Sequence, residues 1–208
     1  MLESIQYTSR CQQIIEVGRW LYDHGWSPAT SGNYSTKIDD QHIAITVSGK
    51  HKGRLTTDDI MIIDFAGQAF GSDKFPSAEA LLHAVIYQEK PIAGAVLHTH
   101  SVNATVLSRI LKTEPSVVLQ GYELQKAFSG VSSHAAGLEI PIFENTQDIA
   151  DLSKRSRLLL RSCEEFPAYL MRGHGLYTWG VTMDDCLRHI EALEFLFACE
   201  LEQMRISK

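Results

Sequence analysis

No stretch of about 18 apolar residues occurs in this chain, which excludes a membrane-spanning helix. The first residues, Met1-Leu2-Glu3-Ser4-Ile5-Gln6, offer neither a basic n-region nor an apolar h-region, so no signal peptide is expected. Cysteine is scarce: Cys11, Cys163, Cys186 and Cys199 lie far apart and form no CxxC pair, and they read as reduced thiols of a cytoplasmic protein. Positive charge is in deficit, 19 Lys and Arg against 25 Asp and Glu, for a net charge of −6. That balance argues against nucleic acid and membrane surfaces as general partners. Repeats, low-complexity segments and dividing linkers are absent too. What remains is 208 residues, 44% of them hydrophobic, enough for one globular domain with a full core.

Hydrophobic spacing and turn residues give the order of elements. Leu2 to His24 has helical spacing and Gly25 to end it. Tyr34–Ile38 and Ile43–Val47 read as strands joined at Asp39-Asp40, and Met61–Asp64 as a short strand before the turn Ala66-Gly67. Ser77 caps a helix to about Tyr87, stopped near Lys90-Pro91. A buried strand follows up to His100, then a short helix from Ser101 to about Leu111. Val117–Leu119 and Glu139–Phe143 read as strands, Tyr122–Phe128 as helix, and Asp148 to about Cys163 as an amphipathic helix. Ala168–Met171 and Leu176–Trp179 form a hairpin. Thr182, with Asp185 three residues on, opens the last helix. Hairpins mixed with helices favour an α/β domain with a mainly antiparallel sheet.

The chemistry concentrates at three histidines. His98 and His100 leave the apolar run Ala93–Leu97 at positions i and i+2, so they share one face of a strand, roughly 7 Å apart. Hydrogen-bonded core histidines are the ordinary reading of a lone imidazole, but two on one face at a strand end point to metal. His174, between Gly173 and Gly175, suits a plain tight turn by itself and supplies the third ligand if the pair binds a cation. Three neutral imidazoles leave an open position and the full charge of the ion to polarise a carbonyl. Zinc, iron(II), cobalt and nickel all accept such a set. A cupin would want a glutamate soon after the second histidine, where Ser101–Thr105 stands instead. An amidohydrolase barrel needs about 250 residues.

Smaller signals surround this set. Ser48-Gly49-Lys50-His51-Lys52-Gly53-Arg54 is a short basic loop suited to an anionic group such as phosphate, or else a solvated turn. Thr30-Ser31-Gly32-Asn33 is by itself an ordinary polar turn. Glu79 can be a first-turn charge or, at i, i+4, a partner for His83. Glu123 can be a solvated residue paired with Lys126 or Lys112. Chemistry alone does not choose between Glu79 and Glu123 as acid/base.

Together, Ser31-Gly32-Asn33, Thr46-Val47-Ser48-Gly49, Pro76-Ser77-Ala78-Glu79, His98-Thr99-His100 and Gly173-His174-Gly175 resemble the class II aldolase and adducin-head family over nearly the whole chain. The stretches Val96–Arg109, Gly121–Lys126 and Pro141–Ile149 resemble its dehydratase branch, which removes water from a methylthio-substituted ketose phosphate. The resemblance implies one three-layer α/β/α domain over residues 1–208. It implies one zinc ion per subunit on His98, His100 and His174, and a homotetramer with active sites at subunit interfaces. It implies a phosphate near Ser31, Gly32, Asn33, Ser48, Gly49, Ser77 and Lys50. Glu79 matches the acid/base of the family's aldolases, Glu123 that of the dehydratase branch, and the second is favoured. The alternatives are a sugar-phosphate aldolase or 4-epimerase, and a non-catalytic domain like the adducin head, for which an intact histidine set has no use.

Overall fold

The computed structural model describes residues 4–162 and 167–207. Among the described residues, nine strands form one sheet in the order β4-β3-β2-β1-β5-β9-β8-β7-β6. They are β1 (Asn33–Lys37), β2 (His42–Thr46), β3 (Ile60–Asp64), β4 (Ala69–Phe70), β5 (Ala95–Thr99), β6 (Ser116–Leu119), β7 (Leu138–Phe143), β8 (Ala168–Met171) and β9 (Gly175–Gly180). Every pairing is antiparallel except β7 with β8, which run parallel. The sheet is therefore mixed while remaining mainly antiparallel.

Alternation along the strands divides the core into two layers, because successive side chains point to opposite faces. On β5, Ala95 and Leu97 face a cluster built with α1 (Ser4–Asp23), α3 (Val102–Ile110) and α5 (Met183–Ile206). Val96 faces the other way, into a cluster built with α2 (Ala80–Glu89) and α4 (Ile149–Ser162). The same alternation runs through β8 and β9, where Leu170 and Leu176 face the first cluster and Tyr169 and Tyr177 the second. Helices thus cover both faces, giving three layers. Among the described residues no helix is long and apolar enough to cross a membrane.

Local chemistry explains the element ends. Thr182 and Asp185 form a reciprocal capping box that opens α5. Helix α2 begins two residues past the spacing's suggestion: Ser77 turns the chain, its carbonyl accepting from Ala80 N at 3.0 Å, and Glu79 holds the N-cap position. The helix expected over Tyr122–Phe128 is present as a 3-10 helix, Glu123–Ala127, and not as an α-helix. Five residues are too few to overcome helix nucleation, so the shorter-range bonding wins. The two-residue β4 pairs with β3 beyond the predicted turn. Of the cysteines, Cys11, Cys186 and Cys199 are free thiols, and Cys163, with the end of the helix expected there, lies outside the described residues.

Candidate metal centre

The central strand β5 places His98 on the α2 side of the sheet, fully buried, with its ring stacked on Tyr177 at 3.9 Å between centroids. Its Nδ1–H donates to the Leu176 carbonyl at 3.0 Å. That bond fixes the tautomer and leaves Nε2 bare, the arrangement a metal-binding imidazole needs. His100 follows just past the strand, its backbone N–H donating to Trp26 O at 2.8 Å. The two Nε2 atoms are 2.8 Å apart.

His174 arrives from the β8–β9 turn. Gly173 takes a φ of +68°, a conformation glycine adopts without strain. At Gly175 a Cβ would lie 2.0 Å from Thr99 O, so only glycine lets this turn close against β5. Arg172 braces the turn, donating to Glu144 Oε1 at 2.6 Å, Ser108 O at 2.6 Å and Glu114 O at 2.9 Å. His174 Nδ1 faces Asn145 Oδ1 at 3.3 Å, which leaves Nε2 for the cluster.

The fourth member is Glu79. Its carboxylate oxygens stand 3.4 Å from His98 Nε2 and 3.2 Å from His174 Nε2. One ligand atom from each of Glu79, His98, His100 and His174 lies within 4.8 Å of all the others. Burial and the neighbouring imidazoles push His98 well below the ordinary histidine range. Burial, with His174 and Lys52, pushes His100 down to about 4. Unprotonated nitrogens converging beside a carboxylate are a donor set for a divalent cation, and the residues present fit one.

A cleft of about 320 Å3 opens from the cluster, lined in part by Ser31, Gly32, Asn33, Ser48, Gly49 and Ser77, together with Glu79, His100 and His174. All but one of the residues expected near a phosphate therefore share this cleft. Lys50 is the exception: it is salt-bridged to Asp59 at 2.9 Å and is not part of the lining. The lining cation is Lys52, which the sequence reading missed as an individual residue. It is 2% exposed and donates to Thr30 O at 2.9 Å and Lys50 O at 2.7 Å. Burial lowers its pKa to about 8, with Asp59 opposing. The basic loop was the available signal, but three cations alternate in it with nothing in the pattern to say which turns inward.

Glu123 is elsewhere. It is 72% exposed, ion-paired to Lys126 as its spacing suggested, and 3.6 Å from His134 Nδ1. It borders an open depression with Tyr122, Leu124 and Phe195, apart from the histidine cluster and its cleft.

Comparison with known proteins agrees with this geometry. The class II aldolase and adducin N-terminal domain matches residues 12–201. A methylthioribulose-1-phosphate dehydratase from Marinobacter nauticus is 58% identical over 208 residues, covering 100% of both chains. One from Hahella chejuensis is 59% identical over 206 residues, covering 99% of each. Among solved structures, an L-fuculose-1-phosphate aldolase from Thermus thermophilus superposes with a TM-score of 0.78 at 23% identity, over 97% of this chain and 98% of that one. That last likeness speaks for the fold alone.

Proposed function

This chain belongs to the class II aldolase and adducin N-terminal domain family, and we propose that it dehydrates 5-methylthioribulose 1-phosphate to 2,3-diketo-5-methylthiopentyl 1-phosphate, with zinc as its metal. The carrying observation is the Glu79, His98, His100 and His174 cluster at the head of a cleft with a buried lysine. The chain is then a lyase of methionine salvage, in keeping with relatives of that name aligned end to end. The free thiols Cys11, Cys186 and Cys199 fit a reducing cytoplasm.

His98, His100 and His174 would hold the zinc, which supplies Lewis acidity to the C2 ketone and makes the C3 proton acidic. Backbone and hydroxyl groups of Ser31, Gly32, Ser48, Gly49 and Ser77, with the Lys52 ammonium, hold the phosphate. Glu79 takes the C3 hydroxyl proton. Glu123 takes the proton on C3 and passes it to the departing C4 hydroxyl, which leaves as water. The enolate left behind ketonises by picking up a solvent proton at C4, and Glu79 returns the hydroxyl proton to solvent, so the net change is loss of one water. Glu123 lies outside the cleft of its own chain, so this role places it in the cleft of a neighbouring subunit, within a homotetramer whose active sites are interfacial. The exposed side chains of Leu124 and Phe195 beside Glu123 suit that contact.

The reading is tested by offering the zinc-loaded protein this ketose phosphate. Diketone phosphate is the expected product. Dihydroxyacetone phosphate would instead mean carbon–carbon cleavage, as in an aldolase.

Lys52 gives a separate prediction. Lys52→Met should raise KM for the phosphorylated substrate by about 10–100-fold, since a charge-assisted hydrogen bond contributes about 1.5–3 kcal/mol. The ammonium is charged below its pKa of about 8 and neutral above it. Wild-type kcat/KM should therefore fall as pH rises through that value, and the variant should lack that limb. A KM unchanged by the substitution would remove Lys52 from phosphate binding.

A further inference from the structure

Between β1 and α2 a line of buried polar side chains that the proposed reaction does not use leads up to Glu79. Asn33 and Ser35 alternate onto one face of β1, and Glu79, His83 and Tyr87 recur every fourth residue from the N-cap of α2 along its length. Two strand residues advance about 6.6 Å and four helical residues about 6 Å, so the two rows stay in step. Asn33, Ser35, His83 and Tyr87 are at most 3% exposed. A helix packed on a sheet needs none of these polar groups, and apolar side chains would avoid their desolvation.

The hydrogen bonds admit one direction only. The Glu79 carboxylate can only accept, so the Asn33 amide must turn its Nδ2 toward it, at 2.8 Å from Oε2. Asn33 Oδ1 then faces His83 Nε2, and since a carbonyl oxygen can only accept, Nε2 carries the proton. Burial keeps the His83 ring neutral, pushed down to about 3, so Nδ1 is bare. It accepts from the Ser35 hydroxyl at 2.7 Å, and Ser35 Oγ accepts from Tyr87 OH at 3.0 Å. The pairing of Glu79 with His83 that helical spacing suggested is thus made through Asn33.

We infer that His83 is a positioning residue for the reaction: its Nε2–H locks the Asn33 amide so that the NH2 group holds Glu79 Oε2, leaving Oε1 to exchange protons. Without this bond the Asn33 amide is free to rotate and present an oxygen to the carboxylate. The inference rests on the reading of Glu79 as part of the reacting centre.

The test is a double-mutant cycle on the zinc-loaded protein, with ring-15N histidine spectra of the wild type. His83→Leu should lower kcat by about 10–100-fold, the usual effect of removing an outer partner of a metal site, with KM within about twofold. His83→Gln, whose amide N–H stands near the place of Nε2–H, should recover most of the loss. Asn33→Ala should lower kcat as much, and the Asn33→Ala/His83→Leu double variant no further. The spectra should show His83 protonated at Nε2 and bare at Nδ1. Additive losses, an unaffected His83→Leu enzyme, or the opposite tautomer would each overturn the inference. Undiminished turnover in Glu79→Gln would instead overturn the reading of Glu79, while the tautomer and the cycle still report on His83 itself.

Discussion

Replacing His98 with alanine is expected to strip the protein of zinc and lower kcat/KM by about a thousandfold or more. The Lewis-acid contribution of a bound cation is worth several kcal/mol, and each 1.4 kcal/mol is about tenfold in rate. Two imidazoles hold a cation far less firmly than three, so loss of metal and loss of turnover should coincide. The fold should persist. His98 is fully buried, but its one hydrogen bond to the backbone is to the Leu176 carbonyl, and leaving that carbonyl unpaired costs about 1–3 kcal/mol. The stack on Tyr177 adds a packing loss confined to the site. Metal content by elemental analysis, thermal unfolding and turnover make the check. A folded His98→Ala protein that keeps stoichiometric zinc and full activity would contradict the metal assignment.

The second large effect is expected at Glu123. Glu123→Gln should keep its zinc and its thermal stability, because an exposed side chain whose partners are Lys126 and His134 contributes little to folding. Its turnover should fall by about 10²–10⁴-fold, the usual contribution of a positioned general acid/base. The interfacial arrangement makes a sharper demand. Mixing Glu123→Gln with His98→Ala subunits should restore activity, since some hybrid interfaces join an intact histidine set to an intact Glu123. Random assembly from equal amounts gives such a pairing at roughly a quarter of the clefts. Near-normal activity in Glu123→Gln would discard its role. Two inactive variants that stay inactive after mixing and reassembly would return the acid/base to the chain that holds the metal, where Glu79 stands.

How much of this was legible in the sequence depended on whether the signal was local. The histidine pair could be read because strand alternation is strictly periodic, and β5 with the residue just past its end does bring both rings to the cluster. His174 could be read only as the missing third ligand; what brings it there, the close approach at Gly175 and the Arg172 brace, involves partners 28 to 76 positions away in the chain. The phosphate loop was legible as a loop but not in its inward residue, because Lys50 and Lys52 differ by an ion pair with Asp59 and by burial, both tertiary facts. The helix at Glu123 was legible as a helix but not in its 3-10 type, which its shortness decides. The Glu79–His83 connection was visible only as a helical i, i+4 pair, since its middle member, Asn33, comes from a strand 46 residues before Glu79. Glu123 was legible as a solvated carboxylate, and one chain leaves it so.

The most direct test of the dehydratase account is product identity by NMR, with zinc-loaded protein and 5-methylthioribulose 1-phosphate in D2O. The account predicts loss of the C4 hydroxyl, appearance of 2,3-diketo-5-methylthiopentyl 1-phosphate, and solvent deuterium at C4 from ketonisation of the enol. Dihydroxyacetone phosphate, or an unchanged substrate with zinc bound, would contradict it.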